Sequence, residues 1–169
     1  MTFVVPFDGS ELAETALIRA VEFSSVLEEN VLAVSVIPMD NVEYARERDW
    51  IGADETFDLD AIVSALHRQV TDLCPTADFR HRTVDRYAPP GTIAKAIRRE
   101  AKKEDASMVF LGSDNAGRIV SSMSSVGANI ATDEAYDVVI VRHRSPTKIR
   151  LLRNNSPHRK PKSDFYLPE

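Results

Sequence analysis

Two stretches of the chain hold residue types whose spacing can do chemistry. The first is Asp8-Gly9-Ser10, directly after the apolar run Thr2-Phe3-Val4-Val5-Pro6-Phe7. It sets a carboxylate at the end of a strand, where a helix begins. The second is Ser107-Met108-Val109-Phe110-Leu111-Gly112, a run of strand length that closes on a glycine. A small polar loop, Ser113-Asp114-Asn115, follows, and then the cluster Ser121-Ser122-Met123-Ser124-Ser125, which can open a helix. Strand, loop and helix N-terminus in that order form an anion site. In an open α/β sheet a ligand sits outside the carboxyl ends of the strands. Backbone N–H groups and the positive end of the helix dipole face a phosphate there.

Other chemistries find less support. There is one cysteine, Cys74, so no internal disulfide can form. His67 and His81 stand alone, and Cys74 has no His or Cys near it in sequence, so no metal-ligand spacing exists. No Gly-x-Ser-x-Gly elbow and no Gly-x4-Gly-Lys-Ser/Thr phosphate loop occurs. Asp114 is the one carboxylate in the second stretch. A hydrolase needs a base and an activated nucleophile near the reacting phosphate, so a protein without turnover is expected.

The elements that must hold these residues follow from periodicity. Thr2 to Phe7 reads as a buried strand, and Asp8 or Ser10 can cap the helix after it. With Asp8 as cap, Glu11 completes a capping box. That helix runs to about Ser25, with Leu12, Ala16, Leu17, Ala20, Val21 and Ser24 on one face. Val31 to Ile37 is apolar on both faces, as in a parallel sheet, and Pro38 ends it. Residues 39–57 form an insert with a short helix near 42–48, then Trp50 and Gly52. It is either a lid or surface packing by Tyr44 and Trp50. Asp58 or Asp60 starts a helix with the stripe Leu59, Ile62, Val63, Leu66, Val70 and Leu73, closed by Cys74-Pro75. Phe79 to Arg86 reads as an edge strand whose Arg80, Arg82 and Arg86 suit exposure. After Gly91-Thr92, a helix carries Ile93, Ala94, Ile97 and Ala101 inward, with Lys95, Arg98, Arg99, Lys102 and Lys103 outward. The strand ending at Gly112 is followed by a helix to about Ala131, and Val138 to Val141 is the last strand.

Strands alternating with helices predict a doubly wound, mostly parallel five-stranded sheet with helices on both faces, Rossmann-like. The chain of 169 residues suits one such domain. Residues 1–142 carry a net charge of −10 and residues 143–169 a net of +5. The reading is therefore an α/β domain over 1–142 and a basic, flexible tail over 143–169, expected to be disordered or loosely docked. The acidic body argues against nucleic-acid binding. No apolar run approaches the roughly 20 residues of a membrane helix. No signal-peptide pattern is read at the N-terminus, and with a single cysteine a cytoplasmic setting fits. The tail can fold back on the acidic body or bind a protein partner.

Val4 to Ser10, Gly91-Thr92-Ile93 opening a helix, and the block Asp105 to Arg142 together resemble the universal stress protein (UspA) family over residues 2–142. The resemblance implies an adenine nucleotide, ATP or AMP. By it, Asp8 meets adenine and ribose, with the backbone at Pro6 beside it and a backbone group near Val36 touching the base. Phosphates would lie on a loop of the form Gly-x-x-Gly, nine residues, Gly-Ser/Thr. Leu111 and Gly112 begin that loop, Asn115 holds its second glycine position, and Ser124, Ser125 and Val126 its end. This chain departs from the pattern. Asn115 and Ser124 replace glycines, and the intervening run is eight residues long. Glycine suits such loops because it tolerates positive φ and close backbone approach. The alternative is thus a nucleotide-independent interaction module that has lost its ligand. The resemblance also implies a homodimer through Val138, Val139, Ile140 and Val141.

Overall fold

Apolar runs without alternation end up where both faces of a sheet are covered. The computed structural model of the protein describes residues 1–89, 91–112 and 135–142. In chain order it contains β1 (Thr2–Pro6), α1 (Glu11–Leu27), β2 (Asn30–Pro38), α2 (Val42–Glu47), α3 (Leu59–Leu73), β3 (Asp78–Val84), α4 (Thr92–Lys103), β4 (Ala106–Gly112) and β5 (Asp137–Val141). The five strands form one sheet in the order β3-β2-β1-β4-β5. Every pairing is parallel. The chain starts at the centre, steps outward to β2 and β3, then crosses back to β4 and β5. The order reverses between β1 and β4, where such sheets open a crevice at their carboxyl ends.

Side-chain alternation divides the core into two layers. Phe3, Val5, Val31, Ala33 and Phe110 pack under α1 and α3, with Leu17, Ile62 and Leu66. Val4, Leu32, Val34, Val36, Val109 and Leu111 pack under α4, with Ala94, Ile97 and Ala101. Helices therefore cover both faces, as the alternation of elements predicts.

Several local expectations change. α1 extends to Leu27 and closes on Glu28 in the left-handed region at φ 56°. Its buried face is wider than one stripe and takes in Ala13, Thr15 and Ile18, because the helix lies across β1, β2 and β4. Thr15 satisfies its hydroxyl on the Glu11 carbonyl at 2.8 Å. Pro38 ends β2, as expected, and is itself its last ladder residue. It stays in the ladder opposite Val84, and the next residue, Met39, donates to the Val84 carbonyl at 2.9 Å. Of the two aspartates expected to start α3, Asp58 is the cap ahead of Leu59, its side chain accepting from the Ala61 N–H. The helix expected between Gly112 and Ala131, and the tail 143–169, lie outside the described residues.

Candidate functional site

The carboxyl ends of β1, β2 and β4 meet at the crevice. Pro6 closes β1 opposite Val34, and Val36 lies two residues further along β2. Val4 pairs with Val109, so the same register carried forward brings Gly112 opposite Phe7, one residue before Asp8. Val36 and Leu111 are buried and face the α4 layer. Five expected residues (Pro6, Asp8, Val36, Leu111 and Gly112) thus gather on three neighbouring strand ends. Asn115, Ser124, Ser125 and Val126 lie outside the described residues.

The turn after β1 is held from several directions. Ser35 donates its hydroxyl to the Phe7 carbonyl at 2.5 Å, and Phe7 N–H reaches Val34 at 2.8 Å. Asp8 Oδ1 accepts the Ser10 N–H at 2.9 Å, a side-chain turn typical of aspartate. Ser10, not Asp8, caps α1, accepting from Ala13 N–H at 3.2 Å. The capping box with Glu11 therefore does not form, and the Asp8 carboxylate serves the turn rather than the helix end. Gly9 has φ +83°, a conformation that side chains other than glycine rarely adopt.

Gly112 has a packing reason of its own. A Cβ there would lie 1.9 Å from the Leu12 carbonyl oxygen. The end of β4 slides against the first turn of α1 with no room for a side chain. That contact brings the strand end within a few residues of Asp8.

The insert folds down onto this turn. Trp50 Nε1–H donates to the Asp8 carbonyl at 2.8 Å. Gln69 of α3 donates to the Gly9 carbonyl at 3.0 Å. Tyr44 packs on Trp50 with ring centroids 5.6 Å apart, and the Arg48 guanidinium lies 3.4 Å from the Tyr44 ring centre. Burial pushes the Tyr44 phenol above its usual range; Arg48 opposes this, and the Asp8 and Glu47 carboxylates add to it. Beneath the insert is a cleft of about 580 Å³ between the Asp8–Glu11 turn, residues 47–50 and α3. Pro6, Val36, Leu111 and Gly112 do not line it. Of the five gathered residues only Asp8 lines the cleft.

Sequence reading missed one buried group. Glu100 of α4 is 3% exposed and accepts from Arg82 Nε at 2.6 Å and Arg80 at 3.0 Å. Arg80 also pairs with Glu104. Arg80 and Arg82 do not serve as free edge charges; they clip the outer strand β3 to α4. Burial alone would raise the Glu100 carboxyl, but the two guanidinium bonds outweigh it and hold the group below its ordinary range. The signal was present in sequence: Glu100 shares the inward face with Ile97 and Ala101, and Arg80 and Arg82 are two residues apart on one strand face. His67 stacks on Phe79 at 5.0 Å as packing, and Cys74 is buried.

Reversed strand order at β1 and β4 and helices on both faces define an open, doubly wound α/β protein. The profile of the Universal stress protein family matches residues 1–142, and the chain belongs to that family. A universal stress protein solved in complex with cAMP is 23% identical, with TM-score 0.53, over 86% of this chain and 98% of its own. A family member from Burkholderia pseudomallei is 18% identical, with TM-score 0.55, over 84% and 96%. The universal stress protein from Archaeoglobus fulgidus in complex with dAMP is 18% identical, with TM-score 0.50, over 83% and 96%. At such identities the likeness is one of fold. No match was found among curated proteins. Among the described residues no helix is long and apolar enough to cross a membrane.

Proposed function

We propose that this chain is a stress-response protein without turnover that binds an adenine nucleotide, AMP or ATP, at the carboxyl ends of β1, β2 and β4. One observation carries the reading. Asp8, two residues past the end of β1, and Gly112, the last residue of β4, follow adjacent parallel strands at the point where the strand order reverses, the usual ligand crevice of such sheets. The cAMP and dAMP complexes of similar proteins support the ligand class. In this reading the Asp8 carboxylate takes the ribose hydroxyls, and backbone at Pro6 and Val36 meets the base. Backbone N–H groups from Leu111 and Gly112 through Asn115, and those of Ser124, Ser125 and Val126, take the phosphates. Titration calorimetry with ATP, ADP and AMP, at high and low salt, tests it beside Asp8→Ala. Binding that the variant loses is the expected result; heat-silent titrations with all three nucleotides count against it.

A second reading rests on the sheet edge. β5 pairs only with β4 among the described residues, and Val138, Val139 and Ile140 are half-buried there. We propose that a second copy pairs at Val138 to Val141, forming a homodimer whose role does not need the nucleotide. Sedimentation with and without AMP separates the readings: a dimer indifferent to AMP, with no binding heat, favours the second.

A further inference from the structure

We propose that Trp50 is a positioning residue for Asp8, and that the insert between β2 and α3 thereby sets how tightly nucleotide is held. The inference rests on the nucleotide reading above. It starts from the carbonyls of the Asp8–Ser10 turn. Such carbonyls commonly bond to water. Here one accepts from an indole N–H of the insert and the next from a helix amide. The carboxylate of the same turn already engages the Ser10 N–H through Oδ1, so a ligand hydroxyl meets the other oxygen. With backbone and side chain both fixed, Asp8 is aimed before any ligand arrives, which lowers the ordering cost of binding.

The reach of Trp50 is built into the insert. Asn41 caps α2 by accepting from Tyr44 N–H, and its amide donates to the Arg86 carbonyl at 3.0 Å, which ties the insert to the loop after β3. Ala45 and Ile51 are buried anchors on either side. Asp49 adopts φ 57°, a left-handed step that turns the chain immediately before Trp50. The backbone N–H of Trp50 then donates to the Ala45 carbonyl at 2.9 Å. Tyr44 holds the indole at 59° between ring planes.

Trp50→Phe keeps an aromatic ring against Tyr44 and removes the donor together with the smaller ring of the indole. Trp50 is the single tryptophan of the chain, so its emission reports on this contact alone. The full chain is titrated with AMP and ATP by calorimetry and by fluorescence. We expect nucleotide to change the Trp50 emission, and Trp50→Phe to raise Kd about fivefold, the effect of one lost hydrogen bond. The thermal midpoint should stay within about 3 °C of the unmodified chain. Gln69→Met, which removes the donor to Gly9 from a separate element, should weaken binding in the same direction. Calorimetric binding that both variants leave unchanged, with silent Trp50 emission, overturns this inference alone. No binding by the unmodified chain overturns it together with the nucleotide reading.

Discussion

At the scale of single residues, two positions are fixed by contacts that leave no slack. Gly112→Ala would drive a methyl into the Leu12 carbonyl, 1.9 Å away, and neither backbone can retreat without moving β4 or α1. We expect a loss of about 3 kcal/mol in urea unfolding, at the upper end for overpacking. Glu100 is the second position. Glu100→Gln keeps the shape and removes the charge that Arg80 and Arg82 share, at a cost of about 2 kcal/mol at neutral pH, moderated because both arginines are partly exposed. The pH dependence has a definite sign. The folded carboxyl titrates below its ordinary value of 4.5, so its contribution is complete above that value and is lost as pH falls through the folded pKa. Unfolding curves of the two proteins should therefore differ most near neutrality and converge in acid below pH 4.5. A gap that persists unchanged into acid would mean that shape, not charge, is what Glu100 supplies.

At the scale of elements, caps and crossings decide how the site is aimed. Ser10→Ala removes the side-chain acceptor at the start of α1 and should cost about 1 kcal/mol in thermal or urea unfolding. Asp8→Ala should cost less stability than Ser10→Ala, because the Asp8 carboxylate makes one turn bond rather than the cap. The opposite ranking would show that the two residues had been given each other's roles. The strands were legible because Thr2 to Phe7 and Val31 to Ile37 are apolar on both faces, and a parallel sheet covers both. Asp58 was legible as a helix start for the same kind of reason, a short acceptor ahead of an apolar stripe. The choice between Asp8 and Ser10 was not. Both can cap, and only the positive φ of Gly9 and the pull of Trp50 and Gln69 on the turn decide it. The insert was the least readable part. It has no period, and its placement depends on Asn41 and Trp50 meeting partners far away in sequence.

For the molecule as a whole, the two sheet edges differ. β3 is braced to α4 by the Arg80–Glu100–Arg82 clip, whereas β5 offers Val138, Val139 and Ile140 beside an unpaired backbone edge among the described residues. If copies meet there, Ile140→Lys should convert the dimer to monomer in sedimentation, while its unfolding midpoint changes little. Family membership and a mostly parallel sheet were both legible in the order of motifs, since alternating strands and helices admit few other arrangements; that every pairing is parallel came from the structure. The order β3-β2-β1-β4-β5 also governs how the chain comes together as it is made. The central strand emerges first, yet one of its two neighbours begins at Ala106, about a hundred residues later. Until then the nascent β1–β2–β3 half has an open flank along β1. Its Val4, Leu32, Val34 and Val36 side remains bare until α4 arrives. Pairings this distant along the chain make folding slow and the half-made protein adhesive. Refolding yield should therefore fall steeply with protein concentration, even where the finished domain is stable.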